Sequence, residues 1–150
     1  MKLGFFLAVF LSQLFTINPS FAATPTVKFA TPTTYDSGGS GANFVVAADL
    51  NGDGFPDMVV ANTDGVSVRI NNGDGTFGAA TLYGTGGTNA FAVAVGDVNL
   101  DGIPDLVVTN FVSGVPGSIG GGVGVLIGNG DGTFQTAVSY DAGGLAPKPS

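Results

Sequence analysis

The chain contains no cysteine, no histidine, no tryptophan and no glutamate. Without cysteine there is no disulfide to staple the fold, so stability must come from packing, hydrogen bonds or a bound metal. Without His, Cys or Glu, the usual acids, bases and nucleophiles of enzymes are missing, and any catalysis would fall to aspartates. We therefore expect no enzyme. Basic residues are scarce too: four Lys and Arg face eleven acidic residues, for a net charge of −7. That balance lacks the positive footprint needed by nucleic-acid phosphates, so no nucleic-acid partner is expected. Helical periodicity is absent beyond the N-terminus. Glycine is what abounds, 26 of 150 residues with eight prolines, and it separates short alternating apolar stretches in the manner of strands and turns.

Residues 1–22 differ in kind from the rest. Lys2 precedes the apolar run "LGFFLAVFLSQLFTI", and Ser20 and Ala22 stand where a signal peptidase would cut before Ala23. The expectation is a signal peptide over 1–22 and an exported chain over 23–150, secreted or held at the cell surface, with no stable membrane insertion after cleavage. The run is short for a full membrane span, and no basic stop-transfer cluster follows it.

Self-comparison shows a repeat. Residues 29–62 align without gaps on 77–110 at an offset of 48, so that Phe29 meets Phe77 and Tyr35 meets Tyr83. "NGDGTF" recurs at 72–77 and 129–134, offset by 57, the extra nine residues falling in the glycine-rich "FVSGVPGSIGGG". These offsets give repeat one at about 29–76, repeat two at about 77–133 and a truncated third repeat over 134–150. Each unit reads as four short strands: "FVVAAD", "DMVVAN", "VSVRIN" and "TFGAATLY", then "FAVAVGD", "DLVVTN", "GVGVLIG" and "TFQTAVSY". The expected fold is all-β: β-propeller-type blades of four antiparallel strands, about two and a half repeats, an incomplete propeller. A lone pair of blades should leave outer faces and edges uncovered.

Six of the eleven aspartates lie in "DLNGDGFPD" (49–57) and "DVNLDGIPD" (97–105). Like charges so crowded repel unless a cation sits among them. Oxygen-bearing side chains fall at positions 1, 3, 5 and 9: Asp49, Asn51, Asp53 and Asp57, then Asp97, Asn99, Asp101 and Asp105. Position 7, Phe55 or Ile103, would lend its backbone carbonyl. Hard oxygens around a glycine turn suit Ca²⁺, and two such sites are expected. Position 4 is Gly52 in one copy and Leu100 in the other, whereas position 6 is Gly54 and Gly102, which assigns the need for a left-handed backbone to position 6. An EF-hand would require an acidic residue at position 12, where Val60 and Val108 stand, and flanking helices. "NGDGTF" reads first as a hairpin turn, although Asn72, Asp74 and Thr76, and their matches Asn129, Asp131 and Thr133, could offer oxygens to a metal. Tyr35, Tyr83, Tyr140, Phe29, Phe77 and Phe134 read as core before they read as a sugar-stacking surface.

The pattern D-x-N-x-D-G-x-x-D, followed by "VVAN" or "VVTN" and then "NGDGTF", resembles the FG-GAP or VCBS repeat of bacterial secreted proteins, related to the blades of the integrin alpha-chain propeller. The resemblance covers roughly 29–145. It implies a calcium-binding propeller blade with the ion between its first two strands, in proteins of adhesion or extracellular binding, within rings of about seven blades. The expected function is a secreted calcium-binding module for an extracellular protein or glycan, the calcium being structural. The alternative is a fragment or spacer of a larger extracellular propeller protein with no ligand of its own.

Overall fold

The structure, a computed structural model, describes residues 31–113 and 120–142. The leader expected over 1–22, Phe29, the middle of the glycine-rich insertion (114–119) and the tail from 143 lie outside the described residues. Alternating apolar and small residues form eight strands: β1 (Ala42–Ala48), β2 (Asp57–Asn62), β3 (Gly65–Arg69), β4 (Thr81–Tyr83), β5 (Gly87–Gly96), β6 (Asp105–Ser113), β7 (Gly122–Leu126) and β8 (Val138–Asp141). They make two antiparallel sheets of four, in the orders β1-β2-β3-β4 and β5-β6-β7-β8. No helix occurs among the described residues, and none is long and apolar enough to cross a membrane. The all-β reading, with four antiparallel strands per unit and no closed barrel, holds; we call the sheets blade one and blade two.

The repeat frame and the blade frame are out of phase. Residues 134–141, which self-comparison gives to a third repeat, supply the outer strand β8 of blade two, because Val138–Asp141 pair with β7. Likewise Thr81–Tyr83 close blade one rather than open blade two. The fourth strands are also shorter than "TFGAATLY" and "TFQTAVSY" suggest. Phe77 makes only an isolated bridge to Asn71, and Phe134 one to Gly128. The ladder resumes at Val68–Thr81 and Val125–Val138 with one extra residue on the outer strand, the count of a β-bulge. A second irregularity lies on the first strand of each blade, between Ala42 and Phe44 and between Ala90 and Ala92. The two copies therefore share their defects as well as their ladders.

Alternation gives each blade two faces. The front of blade one carries Val59, Ala61, Val66 and Val68, all buried, and the rear of blade two carries Val93, Leu106, Val108 and Leu126, equally buried; together they form one core cluster. Polar bonds cross the same seam: Asn43 Nδ2 donates to the Ala90 carbonyl at 2.8 Å, and the Asn89 amide to the Thr63 carbonyl at 2.8 Å. Tyr83 meets Phe134 edge to face at 5.7 Å, as Tyr35 meets Phe77 at 5.5 Å. Tyr140, expected in the core with them, is instead exposed on the front of blade two.

The outer half of the rear face of blade one is held by residues 35–38. Arg69, with its side chain 10% exposed, donates Nη1 to the Gly78 carbonyl at 2.8 Å, Nη2 and Nε to the Asp36 carbonyl at 3.1 and 3.3 Å, and Nη2 to Asp36 Oδ1 at 2.8 Å. Its guanidinium also stacks over the Tyr35 ring at 5.7 Å. The Asp36 carboxylate is 85% exposed, so water weakens that ion pair, and the part-buried bonds to the Asp36 and Gly78 carbonyls dominate. Arg69→Ala is expected to cost about 2 kcal/mol through the carbonyls it orphans, whereas Asp36→Ala costs under about 0.5 kcal/mol. Urea denaturation of both variants checks the order; an equal loss would show that the ion pair, not the carbonyls, dominates.

Candidate metal centres

Each acidic loop joins the first two strands of its blade, running from the end of β1 to Asp57 and from the end of β5 to Asp105. The loops close on their own side chains. Asp49 Oδ2 accepts the Gly54 amide at 2.9 Å and Oδ1 the Gly52 amide at 2.8 Å. Asp97 Oδ2 accepts Gly102 at 2.8 Å and Oδ1 accepts Asp101 at 3.1 Å. Asn51 Oδ1 takes the Asp53 amide and Asp53 Oδ1 the Phe55 amide; Asn99 and Asp101 repeat both bonds. Asn51 Nδ2 donates to Asp53 Oδ2 at 2.8 Å, matched by Asn99 to Asp101 at 2.8 Å. The Gly54 amide, with further loop amides, holds the Asp49 carboxyl below its ordinary pKa.

The ninth-position aspartates sit apart from this exposed cluster. Asp57 and Asp105 are fully buried at the base of the loop. Asp57 Oδ2 accepts the Leu50 amide at 2.9 Å and Oδ1 the Asn71 amide at 2.8 Å. Asp105 Oδ2 accepts Val98 at 3.0 Å and Oδ1 accepts Gly128 at 2.8 Å. Each carboxylate thus clamps the start of its acidic loop to the root of the "NGDGTF" turn. Sequence reading missed this clamp because the second partner is a backbone amide. Asn71 and Gly128 match at the offset of 57, and their side chains share nothing that a comparison could detect.

The donor chemistry fits a hard cation: carboxylate, amide and carbonyl oxygens gathered within nine residues. Each carboxylate oxygen keeps a second lone-pair direction beside the amide it accepts. Among the described residues, however, no three acidic side chains converge on one point. Asp53 and Asp101 are turned to the amides of Asn51 and Asn99, and closing on an ion requires them to let those amides go.

Position 4 corrects the sequence reading. Gly52 has φ 76° and Leu100 φ 64°, left-handed like Gly54 and Gly102, each at 86°. Both positions need that backbone, since both curl the chain so that amides face Asp49 or Asp97. Leu100 tolerates it by standing 89% exposed, clear of any neighbour its side chain would strike.

The "NGDGTF" turns follow the hairpin reading. Asn72 Nδ2 reaches Thr76 Oγ1 and Asn129 Nδ2 reaches Thr133 Oγ1. Thr76 donates its hydroxyl, at 2.6 Å, and its amide, at 2.9 Å, to Asp74 Oδ1; Thr133 does the same to Asp131 at 2.5 and 2.9 Å. The threonine hydroxyl, then its amide, lowers the pKa of each aspartate. A lowered folded pKa stabilises the turn fully above the ordinary aspartate value of about 3.9, and that contribution fades as pH falls through the folded value.

Two outcomes follow from these loops. Leu100→Gly should stabilise blade two by about 0.5–1 kcal/mol, the relief of a left-handed leucine less the greater unfolded freedom of glycine; a lower urea midpoint would contradict the strain. Thr133→Val should raise the Asp131 pKa part of the way to its ordinary value, the remaining amide bond keeping the rest, as an NMR pH titration would read. An unmoved titration would show that the hydroxyl does not act on Asp131.

The FG-GAP-like repeat family matches residues 49–108, from the first aspartate of the first acidic loop to just past the second loop. Among solved structures, an Agrocybe aegerita lectin, described as specifically recognising non-reducing terminal N-acetylglucosamine, aligns at 37% identity with a TM-score of 0.46. The alignment covers 63% of this chain and 23% of the lectin chain, so the chain spans less than a quarter of that protein's length. No curated protein matches. Paired acidic loops stand between the first two strands of each four-stranded sheet, and the stretch that holds both loops, residues 49–108, matches the FG-GAP-like repeat.

Proposed function

We propose that the chain is an exported binding module whose two acidic loops each hold a structural Ca²⁺, and which presents its loops to an extracellular protein or glycan. The observation that carries the reading is the near bond-for-bond repetition of the two loops, from the Asp49 and Asp97 bonds to the amides of Gly54 and Gly102 through to the buried clamps of Asp57 and Asp105. Asp49, Asn51, Asp53 and Asp57 with the Phe55 carbonyl would hold one ion; Asp97, Asn99, Asp101 and Asp105 with the Ile103 carbonyl would hold the other. Bound there, calcium supplies positive charge that offsets the crowding of carboxylates. The protein's part is to hold the backbone curled and the ninth carboxylate anchored, while the Asp53 and Asp101 side chains would turn from the side-chain amides of Asn51 and Asn99 to meet an ion.

Catalysis is not part of this proposal. Of the remaining aspartates, Asp36 pairs with Arg69, Asp64 accepts the Ser40 amide at 3.0 Å, and Asp74 and Asp131 cap their turns. These are structural engagements, and they suit an ion that rigidifies a scaffold. A second reading, a spacer within a longer array of blades, is favoured by the exposed front of blade two around Tyr140.

At an affinity on the order of 10⁻⁴ M, about 1 mM calcium would stabilise each site by roughly 1.4 kcal/mol. Thermal unfolding with and without calcium should show a rise of several degrees, with Asp53→Ala and Asp101→Ala each removing about half of it. A rise unchanged in both variants overturns the metal assignment. Screening the calcium-loaded chain against glycan and protein arrays separates the two readings, since a spacer retains the thermal shift and captures nothing.

A further inference from the structure

Three Asn-Gly pairs occur in the chain: Asn51-Gly52, Asn72-Gly73 and Asn129-Gly130. In such a pair the glycine's backbone nitrogen can attack the asparagine side chain, because no side chain on the glycine screens it. The nitrogen must first lose its proton, and an N–H that already donates to an acceptor is held in its protonated form. The fold treats the three pairs differently. The Gly52 amide donates to Asp49 Oδ1 at 2.8 Å, and the Gly73 amide to Asn71 Oδ1 at 2.9 Å. Gly130 matches Gly73 with nearly the same backbone, φ 84° against 80°, yet no acceptor among the described residues meets its amide.

The cause is one residue upstream of the asparagine. Asn71 in blade one is replaced by Gly128 in blade two, which has no side chain to accept the bond. Asn71 also donates Nδ2 to the Pro56 carbonyl at 2.9 Å. In blade two the Pro104 carbonyl lies so close that a Cβ at position 128 would strike it, so packing itself excludes the guarding side chain. The asparagines are otherwise held alike. Asn72 and Asn129 each donate their amide to a threonine carbonyl at 2.9 Å and their Nδ2 to that threonine's hydroxyl, at 2.8 and 2.9 Å. Access to water runs slightly the other way, Gly73 being exposed and Gly130 half-buried, but Asn129 itself is exposed.

We propose that Asn129 is a site of spontaneous deamidation, set apart from Asn51 and Asn72 by the unengaged amide of Gly130. The Gly130 nitrogen gives its proton to solvent base and forms a bond to Asn129 Cγ; the Cγ–Nδ2 bond breaks, and Nδ2 leaves as ammonia. One water then opens the resulting succinimide at either carbonyl, giving aspartate or isoaspartate. Both products put a carboxylate where Nδ2 met Thr133 Oγ1, two residues from Asp131, and so add repulsion to the turn. Isoaspartate also lengthens the main chain inside the loop that the Asn129 amide closes on Thr133. The neighbouring Gly128 amide holds the buried Asp105, so the change loosens the base of the second acidic loop and leaves the first alone. The inference rests on the hairpin turn and not on calcium or a glycan.

Peptide mapping by mass spectrometry of the full chain, aged in mildly alkaline buffer, tests this. In the folded chain Asn129 should convert several-fold faster than Asn72 or Asn51, and in urea the three rates should draw together. Asn71→Gly should raise the Asn72 rate to that of Asn129; should it loosen the turn, Asn71→Ala makes the same comparison. In the aged protein the Gly128 amide should exchange its hydrogen faster, while the matching Asn71 amide does not change. A folded Asn129 no faster than Asn72, the same order kept in urea, or an Asn72 rate unmoved in both variants overturns the assignment of the site. A Gly128 amide unaffected by ageing overturns its effect on the acidic loop.

Discussion

A four-stranded sheet with apolar side chains on both faces cannot hide them by itself. Among the described residues each blade buries one face against the other blade. Val59, Ala61, Val66 and Val68 vanish against Val93, Leu106, Val108 and Leu126, and everything else is arranged around that contact. The bulges at Ala42/Phe44 and Ala90/Ala92 bend the first strands where the blades meet. Tyr83 reaches over to Phe134 as an edge-to-face lock. Val45 and Tyr140, on the faces turned away from that contact, are exposed.

The acidic loops answer to a different constraint. A nine-residue connection that curls twice into the left-handed region leaves its amides without a strand partner, and each amide needs an acceptor. The aspartates and asparagines supply them, so the residues read as metal donors also hold the loop closed. The ninth aspartate goes further and ties two connections together through buried amides. An ion would therefore meet a loop already shaped, and would add charge compensation to a turn the backbone has set.

Much of this was legible in the sequence. Alternation in "DMVVAN" marked β2 to the residue and "DLVVTN" marked the start of β6, which runs on to Ser113, and the offsets of 48 and 57 revealed two matched blades. The outer strands were harder, because "TFGAATLY" alternates throughout, yet the bridge at Phe77 is separated from the ladder at Thr81 by a bulge that pattern alone does not show. Position 4 misled for a related reason: two unlike residues, Gly52 and Leu100, share a backbone conformation, since an exposed leucine can endure the strain that glycine avoids.

The sequence by itself determined the local chemistry: strands from period-two alternation, turns from Asn-Gly and Asp-Gly, and donor-rich loops from the spacing of Asp and Asn. These follow from interactions among residues a few positions apart. Only the tertiary structure decided which strands close which sheet, which face of each blade is covered, and that Asp57 and Asp105 reach across to Asn71 and Gly128. Those choices depend on backbone groups, identical in every residue, and on which surfaces meet at a distance, and neither is written in side-chain identity.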